Sequence, residues 1–154
     1  MPLRAVNRFA LLLLAVLALC ASTAQAQLTP LGLWKTFPED SQVARSLVRL
    51  TETNGVVRGR VEKLLDPALK PDEVCSLCSG ELLDKPIVGM TIVKGVRQNR
   101  SDPVVWDGGE IIDPHNGKVF SVRLTPVDGG RRLEVRGYLG APMLGRTLHW
   151  VRIE

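Results

Sequence analysis

The residues able to do chemistry are few, and they are widely spaced along the chain. There are two histidines, His115 and His149, and no HExxH, G-x-S-x-G or phosphate-loop motif accompanies them. Cys75 and Cys78 form the close pair Cys75-Ser76-Leu77-Cys78. A tetrahedral zinc site needs four ligands, and no second cysteine pair or histidine pair is present to complete one. A thioredoxin-like pair belongs at the start of a helix that follows a strand. Here Pro71-Asp72-Glu73-Val74 precedes and Ser79-Gly80-Glu81 follows, so the segment reads as loop. In an oxidising compartment the pair is most simply a loop-closing disulfide. A redox-active pair and reduced structural thiols are the competing readings.

Asp113-Pro114-His115-Asn116-Gly117-Lys118 is dense in turn formers. Asp113 is read as a turn cap, with a metal or ligand contact at a barrel mouth as the functional alternative. His115 is read as a solvated turn residue. His149 alternates with Trp150, which puts it on the outer surface if Trp150 faces inward. Asp107 and Glu110 flank Gly108-Gly109, but paired-carboxylate hydrolysis depends on a separation that sequence does not supply. No catalytic residue, metal ligand or cofactor is assigned. An enzyme assembled from separated strands is kept as a third reading, behind two non-enzymatic ones.

A more coherent set combines arginine with large aromatics. Arg136 and Tyr138 fall on one late strand; Arg146, Trp150 and Arg152 fall on the last. Alternation puts Arg146, Leu148, Trp150 and Arg152 on one face. Trp34 and Trp106, from earlier strands, could converge on the same interior. Apolar walls with a few fixed charges suit an amphipathic or anionic ligand. The candidate ligand-binding residues are therefore Trp34, Trp106, Arg136, Tyr138, Arg146, Trp150 and Arg152. The plainer reading makes the indoles core and leaves the arginine heads at the rims.

These residues need a scaffold, and the 154-residue chain has enough apolar content (45%) for one buried core. Arg4 and Arg8, the apolar run from Phe9 to Cys20 and Ala24-Gln25-Ala26 together read as a cleaved signal peptide over residues 1–26. The apolar run is shorter than the ~20 residues a membrane span needs. Cleavage removes Arg4 and Arg8 and lowers the formal charge from +4 to +2, and the remaining basic residues interleave with acids. That pattern is no nucleic-acid footprint. The expected product is an exported domain over residues 27–154, with no transmembrane segment and the periplasm as its compartment.

The expected domain is all-β. Strands are read over residues 31–36, 44–53, 56–64, 87–96, 104–107, 110–112, 119–127, around Leu133 to Leu139, and 145–153. Asn54-Gly55 signals a two-residue hairpin. Gly108-Gly109 is either a tight turn or a bulge. Residues 66–86, with three prolines and both cysteines, form the one long irregular loop. Short turns favour a meander, and a meander of about eight strands buries its faces and removes its edges by closing into a single small antiparallel up-and-down barrel.

Gly32-Leu33-Trp34 near the start and Trp150-Val151-Arg152 near the end are similar to lipocalin-like (calycin-type) barrels, in which a late basic residue packs across the early indole. The longer resemblance rests on Cys75 to Glu81, Lys85 to Met90, Trp106 to Gly109, Asp113 to Lys118, Leu133 to Gly140 and Leu144 to Thr147. In order and content these segments resemble the bacterial exported family called domain of unknown function 2147, over nearly all of Leu31 to Ile153. The resemblance implies export in a bacterium and a calycin-like barrel. It supplies no catalytic residues. The leading expectation is a non-enzymatic binding protein for a small apolar or amphipathic ligand. The alternative is an envelope structural or protein-interaction module with a solid core.

Overall fold

The computed structural model describes residues 28–154. The expected signal peptide, residues 1–26, lies outside the described residues. Eight antiparallel strands follow one another: β1 (Gly32–Thr36), β2 (Ser46–Thr53), β3 (Val56–Leu64), β4 (Thr91–Gln98), β5 (Trp106–Asp113), β6 (Lys118–Val127), β7 (Arg132–Tyr138) and β8 (Arg146–Arg152). Each pairs with its sequence neighbour, and β1 also pairs with β8, which closes the barrel. The all-β, up-and-down expectation holds, and every sheet edge is removed by closure.

Period-two alternation sets the inner face. Val48 and Leu50 of β2, Val57 and Val61 of β3, Val122 and Leu124 of β6, Leu133 and Val135 of β7, and Trp150 of β8 are all buried. The intervening residues Arg49, Arg58, Arg60, Arg123 and Glu134 lie on the outer phase of the same strands.

Because the strands alternate in direction, the connections divide between two ends. The Asn54-Gly55 hairpin, residues 99–105 and residues 128–131 lie at one end. Asn54 and Gly55 both have positive φ (53° and 74°), as a type I′ turn requires. Residues 37–45, 65–90, 114–117 and 139–145 lie at the other.

One open reading is settled and one expectation is corrected. Gly108-Gly109 does not reverse the chain: both lie within β5, where the register shifts between Trp106 and Gly109. This is a bulge, with Gly108 at φ 77° and Gly109 pressed so close to β4 that a Cβ would overlap the Lys94 carbonyl. Ile87, expected to begin a strand, does not. Ile87 to Met90 makes a turn, the Met90 N–H donating to the Ile87 carbonyl at 3.0 Å, and β4 starts at Thr91. The loop is therefore longer than expected, residues 65–90, with a 3-10 turn over Gly80–Leu82. Cys75 and Cys78 form a disulfide inside it, with Cα atoms 5.4 Å apart, and both residues are buried.

Candidate ligand cavity

The two ends of the barrel are built differently. At the closed end Trp34 is completely buried and its Nε1 donates to the Pro30 carbonyl at 2.7 Å. The Arg152 guanidinium sits 4.2 Å from the Trp34 ring centroid. It also donates to the carbonyls of Thr29, Leu31 and Gly130 at 2.5–2.6 Å. The plug is tight at Gly32, whose φ is +129° and where a Cβ would overlap the Glu154 carbonyl. Above the plug, Val48, Leu50, Val57, Val93, Val96, Trp106, Val122, Leu124 and Leu133 fill the interior with Trp34.

The open half is hollow, with a cavity of about 730 Å³. This lies within the ~300–1,000 Å³ usual for small-molecule sites. Trp150 marks its deep end, one inward position from Arg152 on β8. Its walls are mainly apolar: Val61, Leu64, Ile87, Ile92, Ile111, Phe120, Val135 and Leu148. Thr36 and Ser46, paired across β1 and β2, also line it, and their hydroxyls satisfy each other at 2.8 Å.

The charged residues gather around the mouth. Arg45, Lys118 and Arg146 line it together with Glu39 and Asp113. Arg146 Nη1 lies 2.7 Å from Glu39 Oε2, an exposed pair. Asp113 caps its turn as expected: one oxygen accepts the His115 N–H at 3.0 Å and the other accepts from Asn116 Nδ2 at 2.8 Å. His115 departs from expectation. It is partly buried and lines the cavity. Burial, and then the charge of Arg45, hold its pKa below the ordinary 6.5, against the opposing pull of Asp113, Glu73 and Asp66. The disulfide loop docks on this turn. The Pro114 carbonyl lies 3.0 Å from Cys75 Sγ, and a Cβ on Gly117 would overlap the Leu77 carbonyl.

Of the candidate binding residues, Tyr138, Arg146 and Trp150 line the cavity. Trp34 and Trp106 belong to the packed half, and Arg152 to the plug. Arg136 does not face the cavity. It follows inward-facing Val135 and lies on the outer phase of β7. It donates to the carbonyls of Pro142 (2.6 Å) and Met143 (3.2 Å) and to Thr147 Oγ1 (2.8 Å), tying down the β7–β8 loop. His149 is exposed, as expected from its alternation with Trp150. The sequence reading missed Arg45 and Phe120 as lining residues, and no local motif marks either.

A closed eight-stranded meander with a plugged end and a hollow end is a lipocalin-like barrel. The fold of protein HP1028 from the human pathogen Helicobacter pylori, which belongs to the lipocalin family, is similar: the TM-score is 0.68 at 20% identity, over 82% of this chain and 84% of that one. Residues 32–152 match the model of the family described as "Uncharacterized protein conserved in bacteria (DUF2147)", and the chain belongs to that family. No curated protein matches it.

Proposed function

We propose that this protein is an exported, non-enzymatic binding protein for a small apolar or amphipathic molecule, working in the periplasm. The hollow open half of the barrel carries the reading. A cavity of about 730 Å³ with mainly apolar walls gives up the packing that a solid core would gain. A ligand that fills it recovers those contacts. The mainly apolar walls and charged mouth suit a molecule with an apolar body and a polar end.

Native mass spectrometry of the purified protein, followed by titration with an environment-sensitive apolar fluorophore, tests this. A retained small molecule, or fluorophore binding that an amphiphile displaces, is the expected result. Failure of every ligand class to bind would count against it. Export is tested by N-terminal sequencing of the protein from a periplasmic extract, with Gln27 as the expected first residue.

The reading as an envelope interaction module has one observation in its favour. Leu139, Met143 and Leu144 at the β7–β8 loop are 67%, 82% and 78% exposed. Single exposed apolar residues are ordinary, but three on one loop at the mouth offer a contact surface. Replacing Met143, which lies outside the cavity lining, by Ser should weaken capture of a protein partner if that reading holds, and leave ligand titration unchanged if the first one does.

A further inference from the structure

The charges lining the cavity do not balance. Three cationic residues, Arg45, Lys118 and Arg146, face two carboxylates, Glu39 and Asp113. Glu39 is taken by Arg146, and Asp113 is engaged by its own turn. Arg45 and Lys118 are left. Lys118 is exposed and solvated, whereas Arg45 is partly buried. Among the described residues its Nε has no hydrogen-bond partner and is shut off from solvent. A guanidinium cannot shed its charge to relieve such a position.

The backbone of Arg45 is pinned. Its N–H donates to the Thr36 carbonyl at 2.8 Å, and its carbonyl accepts from the N–H groups of Leu65 (2.8 Å) and Asp66 (3.3 Å). The backbone that carries the cation is thus fixed at the meeting of β1, β2 and the disulfide loop, beside a cavity whose walls are mainly aliphatic and aromatic.

Resting on the reading of the cavity as a ligand site, we propose that Arg45 anchors the acidic head of an anionic amphiphile whose apolar tail occupies the barrel. The cavity then selects carboxylate amphiphiles over neutral or cationic ones with the same tail. Arg45 supplies charge-assisted hydrogen bonds to the head group.

The test is calorimetric titration of the full protein with laurate, lauryl alcohol and lauryltrimethylammonium, each below its micelle concentration. The wild type should bind laurate at least about tenfold more tightly than the alcohol, and the cation most weakly. Arg45→Gln should weaken laurate about ten- to a hundredfold and leave the alcohol unchanged. Arg45→Lys should recover part of the loss. Arg123→Gln removes the same charge from an arginine outside the cavity lining, and should leave both affinities unchanged. Equal wild-type binding of laurate and alcohol, tightest binding of the cation, or an Arg45→Gln loss shared equally by both ligands overturns the proposal while the cavity reading stands. Binding of none of the three overturns the cavity reading itself.

Discussion

The same substitution in the two halves of the barrel should have very different costs. Leu124 on β6 is fully buried, in register with Trp106 on one side and Val135 on the other. Leu124→Ala there removes the transfer free energy of the side chain and leaves a new void in a packed region, about 3–5 kcal/mol together. Leu148 on β8 is also paired with Val135, but it is only partly buried and borders the existing cavity. Leu148→Ala enlarges a space that is already open, so the void contribution largely vanishes and about 1 kcal/mol of partial burial remains. At about 4 °C per kcal/mol for a domain of this size, Leu124→Ala should lower Tm by about 12–20 °C and Leu148→Ala by about 4 °C. Urea denaturation of the ligand-free protein, with m-values checked for constancy, provides the comparison. Losses within about 0.5 kcal/mol of each other would refute the division into a solid and a hollow half.

Other outcomes follow from the plug, the mouth and the loops. The folded state holds the His115 pKa below 6.5, so the unfolded chain takes up this proton first as the pH falls. Its contribution to stability should be fully present above about pH 6.5 and be lost as the pH drops toward the folded-state pKa, and His115→Asn should flatten that slope in denaturation midpoints measured between about pH 7.5 and 5. Gly32→Ala should cost about 3 kcal/mol or more, read by thermal melting, because strain at φ +129° adds to overlap with the Glu154 carbonyl. Arg136→Ala should cost about 1 kcal/mol and raise amide exchange in residues 139–145, with carboxylate affinity changed less than threefold, since its hydrogen bonds are partly exposed and face away from the cavity. Replacing both Cys75 and Cys78 by Ser should cost no more than about 2 kcal/mol, because the closed ring is short, and should disturb the 114–117 turn on which the loop sits.

The strands were legible where one face is buried and the other wet. Val122 and Leu124 against Ser121 and Arg123 admit only one register, and Asn54-Gly55 announces its hairpin. The plug was legible too, since an early indole and a late guanidinium on the first and last strands can meet only if the barrel closes. The cavity was harder to read. Trp34, Trp106 and Trp150 look alike in sequence, but depth along the barrel decides which one borders empty space, and depth follows from strand stagger. Arg136 and Val135 already showed opposite phases, so the outward position of Arg136 was available from alternation alone. Arg45 and His115 were not. Residues 65 and 66 bond the Arg45 carbonyl, and the turn that carries His115 meets Leu77 at Gly117, contacts between distant segments that no local pattern encodes.

The most direct measurement is a crystal structure of the protein grown with an amphiphile brominated at the tail end, read from the anomalous bromine signal. A bromine peak inside the barrel, over Trp150 and between Ile92, Phe120 and Leu148, is the expected result. A signal confined to the outer surface, with side chains collapsed across that space, would contradict the account.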